Sequence, residues 1–215
     1  MGDARGMSQA TTEHFDVLIV GAGISGIGGA YHLLQQCPNK TFAVLETMDS
    51  FGGTWKTHTY PGIRSDSDLF TFGYAFKPWT GPPIASGDEI LNYLNEVIEE
   101  NDIEQHIRYE HTIETAEWSS EHKRWTLKVT NKHSEDPHTF TCGFLWMCHG
   151  YYRHSDPYTP EWPGMERFEG DIVHPQIWPD DLDYTNKRIV VVGSGATAAT
   201  LIPAMANEAE HVTML

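Results

Sequence analysis

Apolar residues fall into three patterns along this chain. Short, nearly unbroken runs, Phe15-Asp16-Val17-Leu18-Ile19-Val20, Thr41-Phe42-Ala43-Val44-Leu45 and Arg188-Ile189-Val190-Val191-Val192, have the length and β-branched content of buried strands. Helical spacing follows the first run to about Gln36, and follows the third through Leu201, Ala204 and Met205 in spite of Pro203. A further helix is predicted where Ile90, Leu94, Val97 and Ile98 follow Ser86-Gly87-Asp88-Glu89. That tetrad has capping-box spacing, with Ser86 at the N-cap, and the helix runs to about Glu100. Residues 107–118, 125–130 and 139–148 read as three strands separated by polar turns, a β-meander inserted in a parallel-sheet domain. Within the last of them Phe144-Leu145-Trp146-Met147-Cys148 is apolar throughout, as expected of a buried strand returning to the parent sheet.

Glycines punctuate the strand-to-helix junctions. Gly21-Ala22-Gly23-Ile24-Ser25-Gly26 separates the first strand from its helix, and Glu46 ends the next strand, twenty residues after Gly26. This is the dinucleotide-binding βαβ unit. Gly21 serves the tight turn, Gly23 lets the backbone approach a pyrophosphate, and Gly26 allows the helix to pack on the strand. The helix N-terminus presents N–H groups and partial positive charge to phosphates, and Glu46 is placed to accept from a ribose hydroxyl. Gly193-Ser194-Gly195-Ala196-Thr197-Ala198 repeats the signature as GxGxxA after the strand at Arg188, and a further strand begins at His211. The fold class is therefore α/β: a Rossmann-like domain with an inserted β-meander, followed by the start of a second Rossmann-like domain. Two such units imply a flavin facing a nicotinamide.

Composition narrows the partners. A formal charge of −16 over 215 residues argues against a nucleic-acid binder, which needs clustered Lys and Arg. No apolar stretch approaches a membrane span, and residues 1–14 lack the apolar core of a secretory signal and read as a disordered tail. Cys37, Cys142 and Cys148 form no disulfide framework, which fits a reducing, cytoplasmic compartment. They also exclude a flavin disulfide reductase. Only Thr54-Trp55 follows Gly52-Gly53, and Cys142 and Cys148 lie about 20 Å apart along a strand, whereas a disulfide needs Cα atoms within about 7 Å.

Three stretches admit two readings each. Gly52-Gly53-Thr54-Trp55 suits a flat ligand against an aromatic wall, or is an ordinary turn with a core tryptophan. The loop at residues 60–68, with Arg64 among acids, is a solvated loop or part of a site. Phe70, Phe72, Tyr74, Phe76 and Trp79 are core, or wall a substrate pocket. By composition residues 168–179 are a loop, and His174 a packed histidine.

Taken together these motifs resemble the Baeyer–Villiger and flavin-containing monooxygenases. Phe168-x-Gly170-x-x-x-His174-x-x-x-Trp178-Pro179 matches the Baeyer–Villiger fingerprint and lies between the two Rossmann signatures, as in that family. Gly52-Gly53-Thr54-Trp55 and Tyr60-Pro61-Gly62-Ile63-Arg64-Ser65-Asp66 match the same branch, and residues 60–79 are similar to the subgroup of the ethionamide-activating monooxygenase. Pro175 stands where many members carry Thr or Ser. The resemblance implies FAD held at Gly21, Gly23, Ser25, Gly26, Glu46, Gly53, Thr54, Trp55 and Asp66, and NADP at Gly193, Gly195 and Ala198. It implies no metal. Hydride passes from NADPH to FAD, O2 is activated on the reduced flavin, and one oxygen reaches a small-molecule ketone, sulfide or amine. The family's active-site arginine, expected in the part of the longer members that this sequence does not span, is held by an acid matching Asp66, and His174 couples domain motion to the site. Family members are far longer. The chain is thus expected to be a fragment, with an FAD domain over residues 15–155, a linker over 156–186 and a truncated NADP domain over 187–215. A non-catalytic flavin-binding protein is the alternative.

Overall fold

The computed structural model describes residues 12–215. The first nine of these form β1 (Thr12–Val20), followed by α1 (Ile24–Gln36) and β2 (Phe42–Leu45). β1 and β2 are parallel, with Val17 opposite Phe42 and Val20 opposite Leu45. Residues 1–11 of the expected tail lie outside the described residues. Thr12, Glu13 and His14 already belong to β1, because they pair with Thr139, Phe140 and Thr141 and the His14 ring bonds the Thr141 hydroxyl.

A six-stranded sheet runs in the order β3-β2-β1-β6-β5-β4. The strand expected over residues 107–118 is broken at Tyr109-Glu110, where Glu110 takes φ 57. This leaves β3 (Ile107–Arg108), parallel to β2, and β4 (His111–Ser119) in the meander. β5 (Arg124–Asn131) pairs antiparallel with both β4 and the first half of β6 (Ser134–Met147). β6 begins earlier than its apolar run suggests, because its polar start is zipped to β5. Its second half pairs parallel with β1, and residues 139–142 are bonded on both sides. Leu127 and Val129 of β5 meet Leu18 of β1, Ala43 and Leu45 of β2, and Phe140 and Cys142 of β6 in one cluster. These strands are successive neighbours in the sheet, so the cluster runs across it from β5 through β6 and β1 to β2. The end of β6 is not buried on both faces: Phe144 is 58% and Met147 54% exposed.

α1 lies on β1 and β2 along a glycine face, with Gly26, Gly28 and Gly29 buried beside Ile27, Ala30 and Leu33. α4 (Gly87–Glu100) starts with the predicted capping box: Ser86 N–H donates to Glu89 Oε2 at 2.8 Å, and Glu89 N–H donates to Ser86 Oγ at 3.3 Å.

Two compact units divide the chain, the first running up to Gly53 and from Leu94 to Gly150, the second comprising Thr54–Tyr93 and Tyr151–Leu215. The second holds the short helices α2 (Thr54–Thr57) and α3 (Leu69–Phe72) and a second βαβ unit, β7 (Arg188–Val191), α5 (Ala196–Met205) and β8 (His211–Met214), with Arg188 opposite His211. This division differs from the continuous domain expected over residues 15–155, and the physical reason is packing on α5. Tyr60 forms a core with Leu201 and Met205, and a methyl group at Gly62 would come within 2.6 Å of the Thr200 carbonyl oxygen. The aromatic crowd belongs to the same unit and is mostly packing. Tyr74 stacks on Phe76 and Tyr93, Trp79 meets Tyr93 edge-on, and the Tyr93 hydroxyl accepts from Tyr74 N–H and donates to the Lys77 carbonyl. No helix among the described residues is long and apolar enough to cross a membrane.

Candidate nucleotide sites

In the first unit the turn between β1 and α1 is built by three glycines with three different constraints. Gly21 takes φ 98, and its N–H bonds the Leu45 carbonyl at 2.8 Å. A side chain there would also strike the Cys148 carbonyl at 2.7 Å. At Gly26 a methyl group would stand 1.8 Å from the Gly21 carbonyl oxygen, so α1 sits as close to the turn as a bare backbone permits. Gly23, the N-cap of α1, has open space: only the Gly53 Cα comes near an added methyl, at 3.8 Å. No side chain caps α1, and no acid lies in its first turn. Ser25 is exposed on that turn. The helix start therefore presents N–H groups and the positive end of the helix dipole to an anion.

A second strand of chain closes over this turn. Gly52 N–H donates to the Ala22 carbonyl at 3.0 Å, and Gly53, at φ 54, brings its backbone against Gly23. Between them the Glu46 carboxylate is 7% exposed. Its Oε2 accepts from Ala22 N–H at 2.7 Å and its Oε1 from Met48 N–H at 2.8 Å. Tyr109 feels that charge; burial first, then its bond to Glu104, and then Glu46 push its hydroxyl well above the ordinary range. The two backbone partners of Glu46 had no sequence signal beyond the Gly21 motif itself. They leave lone pairs on both carboxylate oxygens for a ribose. Ser50 in the covering loop has a buried hydroxyl oxygen that finds no hydrogen-bond partner among the described residues.

In the second unit the turn at Gly193 reproduces the first. Gly193 takes φ 120, and its N–H bonds the Leu215 carbonyl at 2.8 Å, as Gly21 bonds Leu45. Gly195 caps α5 at φ −75, ψ −174, close to the −78 and −172 of Gly23. A methyl group at Gly193 or Gly195 would meet nothing within 4 Å. Ala198 occupies the position of Gly26, so the second turn accommodates a methyl group where the first has no room for one.

The remaining predicted residues also lie in the second unit. Thr54 opens α2, where its carbonyl accepts from His58 N–H, and Trp55 packs edge-on to Phe72 at 6.1 Å. Asp66 is exposed beside Tyr152, and no cationic partner for it exists among the described residues. Arg64, its neighbour, turns away and donates to the Ala199 carbonyl at 3.5 Å. His174 is half-buried and caps a 3-10 turn at Pro175–Ile177, its Nδ1 accepting from Gln176 N–H at 3.2 Å. Two histidines that sequence reading did not single out, His58 and His154, lie near it. All three cysteines are free, and burial pushes the Cys142 thiol up to about 11. No cluster of three or more His, Cys, Asp or Glu suited to a metal occurs among the described residues.

Two glycine turns of one design, each between parallel strands and each opening a helix, define an α/β nucleotide-binding protein of the Rossmann type. The chain belongs to the flavin-binding monooxygenase-like family, whose model matches residues 69–215; an NAD(P)-binding Rossmann-like domain model matches residues 19–86. It is 54% identical over 206 residues to the FAD-containing monooxygenase EthA of Mycolicibacterium smegmatis, a match covering 95% of this chain and 42% of that protein. Among solved structures it resembles an oxidised steroid monooxygenase bound to NADP at 32% identity and a TM-score of 0.78, over 94% of this chain and 38% of the other. The OTEMO complex with FAD and NADP is 27% identical with a TM-score of 0.75, over 95% and 39%. The chain thus spans about two fifths of the length of the relatives it matches.

Proposed function

We propose that this chain contributes the cofactor sites of a monooxygenation that uses FAD, NADPH and O2 to oxygenate a ketone, sulfide or amine. The observation that carries the reading is the Gly21–Gly26 turn closed by the buried Glu46 carboxylate. That carboxylate accepts ribose hydroxyls and repels a 2′-phosphate, which favours FAD over NADP in the first site. Gly23 and the start of α1 receive the pyrophosphate, and Gly53, Thr54 and Trp55 line the approach of the flavin. The Gly193 turn is assigned to NADP, as the steroid monooxygenase relative is bound to that nucleotide. When bound, the two cofactors supply hydride transfer and the activation of O2. Asp66 and His174 are the protein groups assigned to the oxygenation step, Asp66 by orienting a cation and His174 as a positioning residue. The three free cysteines suit a cytoplasmic setting.

The partial coverage of its relatives supports a second reading, a flavin-binding protein without oxygenating activity. One experiment tests what the two readings share, a flavin site that does not oxygenate by itself. The purified 215-residue chain is reconstituted with FAD, and flavin content and NADPH-dependent oxygenation of a ketone and a sulfide are measured. The expected outcome is weakly held FAD and no product. Failure to take up FAD sinks the first-site assignment, and substantial product sinks the claim that oxygenation needs more than these residues.

A further inference from the structure

His58 is 6% exposed in the second unit, enclosed by three other rings: Tyr152 edge-on at 4.9 Å, His154 at 5.8 Å and Tyr60 at 6.1 Å. Each histidine of this group sits on a different segment. His58 follows α2, the turn that begins with Thr54 and Trp55; His154 lies just beyond β6; His174 caps the 3-10 turn of the fingerprint loop. Hydrogen bonds tie the segments together. Thr57 Oγ1 bonds His154 Nδ1 at 3.1 Å, and Gln176 Nε2 donates to the Arg153 carbonyl at 2.7 Å. His174 Nδ1 accepts from Gln176 N–H, a bond that exists only while that nitrogen carries no proton.

We propose that the buried His58 ring is a proton-operated fastening that holds the α2 turn to the segments bearing His154 and His174 while it is neutral, and releases it as it takes up a proton. Protonation would place a positive charge on a buried ring that faces two other imidazoles. Of the groups that face His58, only the Thr54 carbonyl favours its protonated form. Its own turn brings the Thr54 carbonyl and Tyr60; the segment after β6 brings Tyr152 and His154; the fingerprint loop brings His174. Asp66 acts on Tyr152, and Arg153 is paired with Asp156 at 3.4 Å, so no carboxylate is among the groups acting on His58. Burial first, and then the charges of His154 and His174, lower the pKa of His58 from its ordinary 6.5. A lowered histidine pKa means that stability is complete above 6.5 and is lost as pH falls below it toward the depressed value.

The test is amide hydrogen exchange of residues 54–60 in the 215-residue chain, corrected for intrinsic rates, from about pH 7.5 to about pH 5.5. The opening constant is expected to rise by up to about tenfold per pH unit below the ordinary histidine range. His58→Phe keeps the ring and removes the proton site, and should flatten that rise. His154→Gln keeps a partner for Thr57, removes one charge and should make the rise shallower, which serves if the first variant fails to fold. No pH-dependent opening in the parent, or the parent's full rise in a folded variant, overturns the proposal.

Discussion

A methyl group at Gly26 would stand 1.8 Å from the Gly21 carbonyl oxygen, so Gly26→Ala forces α1 away from β1. Overpacking of this kind costs about 3 kcal/mol, read as a lower denaturant midpoint, with FAD affinity falling alongside. Ala198, the same position in the second turn, provides the control. Ala198→Gly relieves no clash and should cost only the helix-propensity difference of about 1 kcal/mol. Glu46→Ala acts differently, leaving the N–H groups of Ala22 and Met48 without their partner and removing a charge-assisted ribose contact. FAD affinity should fall by roughly 1.5–3 kcal/mol, measured by calorimetry, with a lower melting temperature even without FAD. Equal FAD affinity in mutant and parent would refute the ribose role. The glycines and Glu46 were legible in the sequence because their spacing follows directly from the geometry of a strand–turn–helix. The exposure of Asp66 and the nearness of His58 and His154 to His174 were not. They depend on contacts among segments about a hundred residues apart, which no local pattern encodes.

Between elements, Asp16 of β1 holds the turn that leads into β2. Its carboxylate accepts from Thr41 N–H at 2.9 Å and Thr41 Oγ1 at 3.0 Å, and pairs with Lys40 at 2.9 Å. The Thr41 backbone bond first, then the Lys40 and Thr41 side-chain bonds, hold its pKa at about 2 rather than 3.8. A depressed carboxylate pKa contributes stability above the ordinary value, and the contribution is lost as pH falls through the depressed one. The melting-temperature gap between the parent and Asp16→Asn should therefore be full at about pH 5 and shrink between 3.8 and about 2. A gap independent of pH in that window would exclude the ion as the source. Helices α1 and α4 were readable from periodicity and capping, but the path of β6 was not. An apolar run predicts burial, yet Phe144 and Met147 are exposed because burial depends on what covers the strand as well as on its composition.

For the molecule as a whole, the two glycine turns fall in separate units, and ligand effects should separate with them. FAD should slow amide exchange around α1 and β2, and NADP+ should slow it around α5; at about a hundredfold excess over Kd each effect approaches 2.7 kcal/mol. Protection by FAD confined to α5 would reverse the assignment. The sequence pattern revealed two βαβ units but not their surroundings. A loop of Pro, Gly and Ser carries no sign that Gly62 nests on α5, so residues 54–93 read as part of the first domain.

The double pairing of β6 also sets an order of events during synthesis. β1 leaves the ribosome ahead of the other strands of its sheet, yet one of its two neighbours is β6, and the His14 to Thr141 contact spans 127 residues. β4, β5 and the start of β6 are successive hairpin strands and can pair as soon as they emerge, so the meander is the local part of the sheet. The earliest strand is then among the last to be enclosed, and Val17, Leu18 and Ile19 wait as an apolar edge until more than a hundred further residues have been made. Slowing translation within the meander should lengthen that wait and increase chaperone association of the nascent chain, whereas a pause placed after β6 should not.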